Sequence, residues 1–386
     1  MNNRFEFLVN KDTTFLNFGS FGSCPSEIFE KYQSLQRQLE FQPVEFIVDR
    51  SNELFFEARK KLGEYIDCSH EDVVLVTNPS YAVNTVAKSF PLNKGDEILS
   101  TNLEYGAIVQ TWQTVCLEKE AKFISQNIQF PILDEEHFMD QFWKGFTEKT
   151  RAIFISHITS STALVLPVEK ICIEAKKRGL ITIVDGAHAP GQLPLSMKSC
   201  QYDIYIGACH KWMMSPKGAS FLYASKEVQP WMKPLVVSWG SVPGYEQNTR
   251  FVDDHQTNGT RDLSALLSVP FCIDFMCKNN WQKEAKSCAQ LCLEFAHTLQ
   301  EVTGFIPCAP LNKTWIGQMF AIPVKLHTDV DVRSILKKEY NIEIPITNLD
   351  SNYFIRYSIQ AFNDPEDLDN LQTALIELRE KKVVSF

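Results

Sequence analysis

The sequence predicts an α/β protein: a mainly parallel mixed sheet covered by helices, followed by a small C-terminal α+β domain. Three observations carry this. From Val73 to Ala224 short apolar runs alternate with amphipathic stretches, the pattern of repeated βα units. The run Leu180-Ile181-Thr182-Ile183-Val184 suits a strand buried on both faces. Near Met319 the rhythm changes to strand, helix, strand, strand, helix, which suits a small antiparallel sheet. A chain of 386 residues is long for one core. The expected division is an N-terminal arm and helix (1–50), a large domain (51–277) and a small C-terminal domain (278–386).

The elements follow in order. Residues 1–24 read as an extended arm ending in the turn Phe18-Gly19-Ser20-Phe21-Gly22-Ser23. Pro25 opens a helix with Ile28, Tyr32, Leu35 and Leu39 at apolar spacing. A second helix covers about Asn52 to Tyr65. Strands are expected at Val73 to Val76, Glu97 to Ser100, Lys122 to Ser125, Ala152 to Ser156, Leu180 to Val184, Ile204 to Ala208 and Gly218 to Ala224. Helices lie between the earlier ones, at Tyr81 to Phe90, Ala107 to Leu117, Glu135 to Gly145 and Val168 to Arg178, the last closed by Gly179. Residues 226–262, rich in Pro and Gly, read as loop. Helices follow at about Leu263 to Cys277 and Trp281 to Val302. The last part reads as strand Met319 to Val324, helix Val330 to Glu339, strands Ile342 to Ile346 and Phe354 to Ile359, and helix Pro365 to Lys381.

Composition narrows the function. A net charge of −9 without a Lys/Arg block disfavours nucleic-acid binding. The start MNNRFEFLVNKD lacks the layout of a signal peptide, and no apolar run is long enough to span a bilayer. Eleven scattered cysteines lack zinc spacing and read as reduced thiols of a cytoplasmic protein, with no metal site.

Three chemistry-bearing residues sit just past strand ends. Val184 is followed by Asp185-Gly186-Ala187-His188, and Ala208 by Cys209-His210-Lys211-Trp212. In an open α/β sheet that edge is where ligands bind. Lys211 is flanked by His210 and Trp212 behind an apolar strand, so its amine is desolvated and its pKa lowered. A lone strand-end lysine is more often structural. Asp185 is a carboxylate able to hold a pyridine nitrogen protonated, although alone it could cap a turn. An amine and such a carboxylate are what pyridoxal 5'-phosphate needs from a protein. His188 could donate to the cofactor's phenolate oxygen; otherwise it is a turn histidine bonded to backbone. Thr77-Asn78-Pro79-Ser80-Tyr81-Ala82 runs from a strand into a helix. Its backbone N–H groups and the Ser80 hydroxyl make an anion site, as many helix caps do. Tyr105, in Glu104-Tyr105-Gly106-Ala107, could lie over an aromatic ring.

The segments LNFGSFGSCP (16–25), EYGA (104–107), SHITSSTALVLPVEKI (156–171), VDGAHAPG (184–191), HKWMMSPKGASFLY (210–223) and GTRD (259–262) carry a family resemblance. The chain resembles the class V aminotransferase family of fold-type I pyridoxal phosphate enzymes, and within it the isopenicillin N epimerase-like branch. HKW after DGAHAPG is the specific part. The resemblance implies that Lys211 is the Schiff-base lysine, Asp185 the pyridinium partner, His188 the phenolate contact and Tyr105 the stacking ring. It implies that Ser80 and His210 bind the phosphate, with Tyr81 in the same loop, and that Ser160 lies beside the cofactor. Gly259 and Thr260 would reach the phosphate of a neighbouring subunit, which implies a homodimer with shared sites. Arg356 matches the arginine that clamps the substrate α-carboxylate, a task its fork suits. The arm from Asn17 to Phe21, with Glu45, would help choose the substrate. Departures from the branch are Asn78-Pro79-Ser80-Tyr81 in place of Ala and Thr residues, Ile206 and Ala208 where Thr and a polar residue are common, and Glu45 where Arg is frequent.

The expected function is chemistry at Cα of an amino acid, a small-molecule substrate with a free α-carboxylate, as an epimerase or aminotransferase. A cysteine- or cystine-type C–S lyase is the alternative, and a non-catalytic pyridoxal phosphate-binding protein ranks below both. Residues 309–355 contain no Cys, which counts against a persulfide-forming desulfurase.

Overall fold

The computed structural model describes residues 5–327 and 331–386. Its central sheet has, among the described residues, seven strands in the order Val73–Val76, Ser220–Ala224, Ile204–Ala208, Ile181–Gly186, Thr150–Ser156, Glu97–Thr101, Lys122–Gln126. Ser220–Ala224 pairs antiparallel with both neighbours, and all the other pairings are parallel. Alternate strand residues feed different faces: Ile153, Ile155 and Val184 join one apolar cluster, Ala152, Phe154 and Ile183 the other. Both faces are therefore covered, which explains why these strands read as unbroken apolar runs.

Register sets the site. Ser156 pairs with Asp185, and Asp185 with Ile206. The carboxyl ends of three adjacent strands thus meet at one edge, and Lys211 follows the third after a short turn.

A second sheet, antiparallel throughout, is formed by Ile346–Leu349, Asn352–Ser358, Met319–Leu326 and Val384–Ser385. The arm is tied to this region, because Thr14–Phe15 pairs in parallel with Ile342–Glu343. The predicted strand Ile342 to Ile346 is split there. Ile342–Glu343 takes the arm, Pro345 intervenes without an N–H, and Ile346–Leu349 pairs with Asn352–Ser358. The helix predicted from Val330 is observed as Val332–Glu339 with Asp331 as its cap; Val330 itself lies outside the described residues.

Other differences have local causes. The predicted helix from Leu263 to Cys277 breaks into Ser264–Leu267 and Val269–Lys278, because Pro270 fits only a first turn. Within the loop-rich stretch, Arg250–Gln256 is a helix whose residues 251–256 are all buried. Arg59, 1% exposed, holds it in place by donating to Gln256 (2.9 Å) and Asn248 (2.7 Å).

Candidate active site

At the carboxyl edge of the sheet lies a cavity of about 280 Å³, lined by the turn Gly19-Ser20-Phe21, by Asn78-Pro79-Ser80, and by Tyr105, Ser156, Ser160, Asp185, His188, His210, Lys211 and Arg356. Its members come from both sheets and the arm.

Asp185 forms the buried floor. Its Oδ1 accepts the Ala187 N–H at 2.9 Å. Burial raises its pKa, and the Ala187 N–H and the Lys211 charge only partly offset this. Lys211 stands 3.1 Å from His188 Nε2. Desolvation, assisted by the Arg356 charge and opposed by Asp185, lowers its pKa to about 8. His188 is held well below the ordinary imidazole range by burial and by the charges of Lys211 and Arg356, so it is neutral. Its Nδ1 accepts the Trp212 indole N–H at 3.3 Å. His210 Nδ1 lies 2.9 Å from the Ala219 carbonyl, which leaves Nε2 available for a ligand.

Ser80 stands at the start of helix Pro79–Ser89, where Asn78 caps the Tyr81 N–H. Pro79 has no N–H, Tyr81 and Ala82 donate to Asn78, and the Ser80 N–H, the Ser80 hydroxyl and the helix dipole are left to favour an anion there. Arg356, on Asn352–Ser358, donates from Nη1 to the Ser160 carbonyl and from Nη2 to Ser20 Oγ at 3.0 Å. Its Nε is buried without a partner. Desolvation lowers its pKa to about 10.

Of the residues singled out from sequence, Ser80, Tyr105, Ser160, Asp185, His188, His210, Lys211, Phe21 and Arg356 come together here. Asn17 does not line the cavity; it is buried behind it and accepts the Ser20 hydroxyl at 2.5 Å. The Tyr81 hydroxyl faces away and accepts from Asn258 at 3.1 Å. Gly259 and Thr260 are exposed and outside the cavity, as is Glu45. Ile206 and Ala208 are fully buried in the sheet.

Ser20 lies in the arm segment expected to help choose the substrate, whereas sequence reading gave no role to Ser156 or Glu104. Glu104 is buried beneath the site and accepts from Thr101 Oγ1 (2.8 Å) and Ser156 Oγ (2.5 Å). Burial outweighs these bonds and pushes its pKa up to about 7. The available signal was its place just past the end of strand Glu97–Thr101.

The residue set fits pyridoxal 5'-phosphate. It offers a buried carboxylate for a ring nitrogen, an amine, an anion cradle, and an arginine with an unfilled donor.

The family Aminotransferase class-V matches residues 25–371. The chain is 29% identical to isopenicillin N epimerase of Amycolatopsis lactamdurans, covering 98% of each chain. It is 25% identical to a probable chloroplastic L-cysteine desulfhydrase of Arabidopsis thaliana, over 93% of this chain and 82% of that one. The solved complex of the cystine C-S lyase C-DES with cysteine persulfide shares the fold with a TM-score of 0.81 at 18% identity, over 95% of this chain and 97% of the other.

Proposed function

Because the chain belongs to the class V aminotransferase family, whose members are pyridoxal 5'-phosphate enzymes, we propose that it acts at Cα of an amino acid bearing a free α-carboxylate. The observation that carries this reading is Arg356. The guanidinium is buried, and among the described residues its Nη atoms meet only neutral oxygens and its Nε is unfilled. A buried charge so placed calls for an anion, and its fork fits two carboxylate oxygens.

When bound, the cofactor supplies an electron sink for negative charge at Cα. The protein supplies the rest. Lys211, as a free amine, takes and returns the Cα proton at Nζ. Asp185 would hold the ring nitrogen, Ser80 and His210 would hold the phosphate, Tyr105 would cover the ring and Ser160 would sit beside it. Ser20 steadies Arg356, and Asn17 steadies Ser20.

The epimerase or aminotransferase reading is supported by the class V aminotransferase match and by the isopenicillin N epimerase relative, matched over 98% of this chain. Tyr105, half-exposed in the cavity wall, is a second group able to exchange a proton at Cα. A second reading, elimination of a β-sulfur substituent, is supported by the desulfhydrase relative. Among the described residues no cysteine lines the cavity, so neither reading includes a protein persulfide.

We also infer a homodimer. Gly259 and Thr260 are exposed beyond their own cavity, which suits a reach to a second copy. Eleven unpaired cysteines support a reducing, cytoplasmic compartment. Among the described residues no helix is long and apolar enough to cross a membrane.

The purified protein should absorb near ~420 nm, as the cofactor does on a lysine, and Lys211→Ala should lose that band. A band untouched by the substitution would remove Lys211 from its role. Amino acids then sort the reactions: α-deuterium wash-in with the opposite epimer and no keto acid supports epimerisation, keto-acid exchange transamination, and pyruvate with sulfide the lyase.

A further inference from the structure

His188, Trp212 and Lys211 form one hydrogen-bonded row, with the imidazole and indole buried and the lysine half-buried. Trp212 is fully buried. Its ring lies against Phe18, with centroids 5.2 Å apart. Its backbone is held by Gly191, at φ +92°, where an added Cβ would stand 2.2 Å from the Trp212 carbonyl oxygen. The indole has little freedom to turn away from His188.

The chemistry of the row is directional. An indole nitrogen is a donor only. Trp212 Nε1–H points at His188 Nδ1, so Nδ1 must offer its lone pair. A neutral imidazole with that arrangement carries its hydrogen on Nε2. Nε2 is 3.1 Å from Lys211 Nζ. The ring therefore presents a donor to the lysine nitrogen. An ammonium cannot accept it, whereas a free amine can.

We propose that Trp212 is a positioning residue: it fixes His188 as an Nε2–H donor and so disfavours a proton on the Lys211 nitrogen. This rests on the reading of Lys211 given above. The other charged or titratable groups facing the row are Asp185, Arg356 and His210. On the Lys211 nitrogen Arg356 acts in the same sense as the lock and Asp185 opposes it, while His210 lowers the proton affinity of His188. The family resemblance assigns His188 a cofactor contact; the lock adds what decides which hydrogen that histidine offers.

The test uses cofactor-loaded protein labelled with 15N-histidine, as wild type, Trp212→Phe, His188→Gln and the double variant. Long-range 1H–15N spectra should show the wild-type His188 with a bare Nδ1 and a protonated Nε2. In Trp212→Phe, which keeps an aromatic ring against Phe18, the tautomer should become mixed. The pH midpoint of the visible absorption should then rise by about one pH unit, a tenfold gain in proton affinity. In the His188→Gln background the same Trp212→Phe change should shift nothing, because no imidazole remains to be fixed. A wild-type His188 protonated at Nδ1 overturns the proposal. So does an equal shift in both backgrounds, which would mark Trp212 as packing only, or no shift in either. If the wild type carries no visible band, the cofactor reading fails, and the tautomer of the unloaded protein still decides the lock. Should Trp212→Phe not fold, the wild-type tautomer decides alone.

Discussion

Replacing Glu104 by Gln removes a buried carboxyl without changing its shape. In the folded chain this group titrates at about 7 against an ordinary 4.5. Two hydroxyl donors, Thr101 and Ser156, favour its ionised form, yet desolvation wins. Below pH 4.5 the carboxyl is protonated in folded and unfolded chains alike and costs nothing. Between 4.5 and 7 the unfolded chain releases the proton while the folded chain keeps it, so stability falls as pH rises. Above 7 the cost is complete, about 3 kcal/mol at ~1.4 kcal/mol for each pH unit of displacement. Gln has no such titration. Urea unfolding of wild type and Glu104→Gln at pH 5 and pH 8 isolates this quantity, because the lost hydrogen bonds count equally at both. The variant's stability relative to wild type should be more favourable at pH 8 than at pH 5 by about 2 to 3 kcal/mol. An identical difference at the two pH values would refute the reasoning and make Glu104 an ordinary ionised carboxylate.

Two further outcomes are expected. Arg356→Lys keeps the charge but loses the fork; the amino acid KM should rise about 10- to 100-fold with a smaller change in kcat, and an unchanged KM would place the carboxylate elsewhere. Cofactor uptake by the stripped protein needs Lys211 as a free amine, so its rate, followed in the visible band, should climb with pH to an inflection near about 8; an inflection in the ordinary lysine range, near ~10.4, would show that burial and Arg356 do not act on it.

Much of the fold was legible because both faces of the sheet are covered. Runs such as Ile181 to Val184 must then be apolar throughout, and their ends mark the ligand edge. The helix Arg250–Gln256 was not legible: its burial depends on Arg59, nearly 200 residues earlier, and Pro- and Gly-rich flanks hide it. The Ile342 to Ile346 run misled for a related reason, since Pro345 divides it between the arm and the small sheet.

The same division holds in the site. Sequence by itself determined the residue types and their places: Asp185 and Lys211 each just beyond a buried strand, Ser80 at a helix start, Arg356 on a late strand. These follow from local rules, because strand ends and helix caps are written in neighbouring residues. Tertiary structure alone decided which of them meet. Arm residues Ser20 and Phe21 reach the cavity because Thr14–Phe15 pairs with Ile342–Glu343. Glu104 lies under Ser156 through strand packing, and Trp212 meets His188 because the strands they follow, Ile204–Ala208 and Ile181–Gly186, are neighbours. Proton affinities at this site depend on burial and on charges brought from remote parts of the chain, and only folding supplies both.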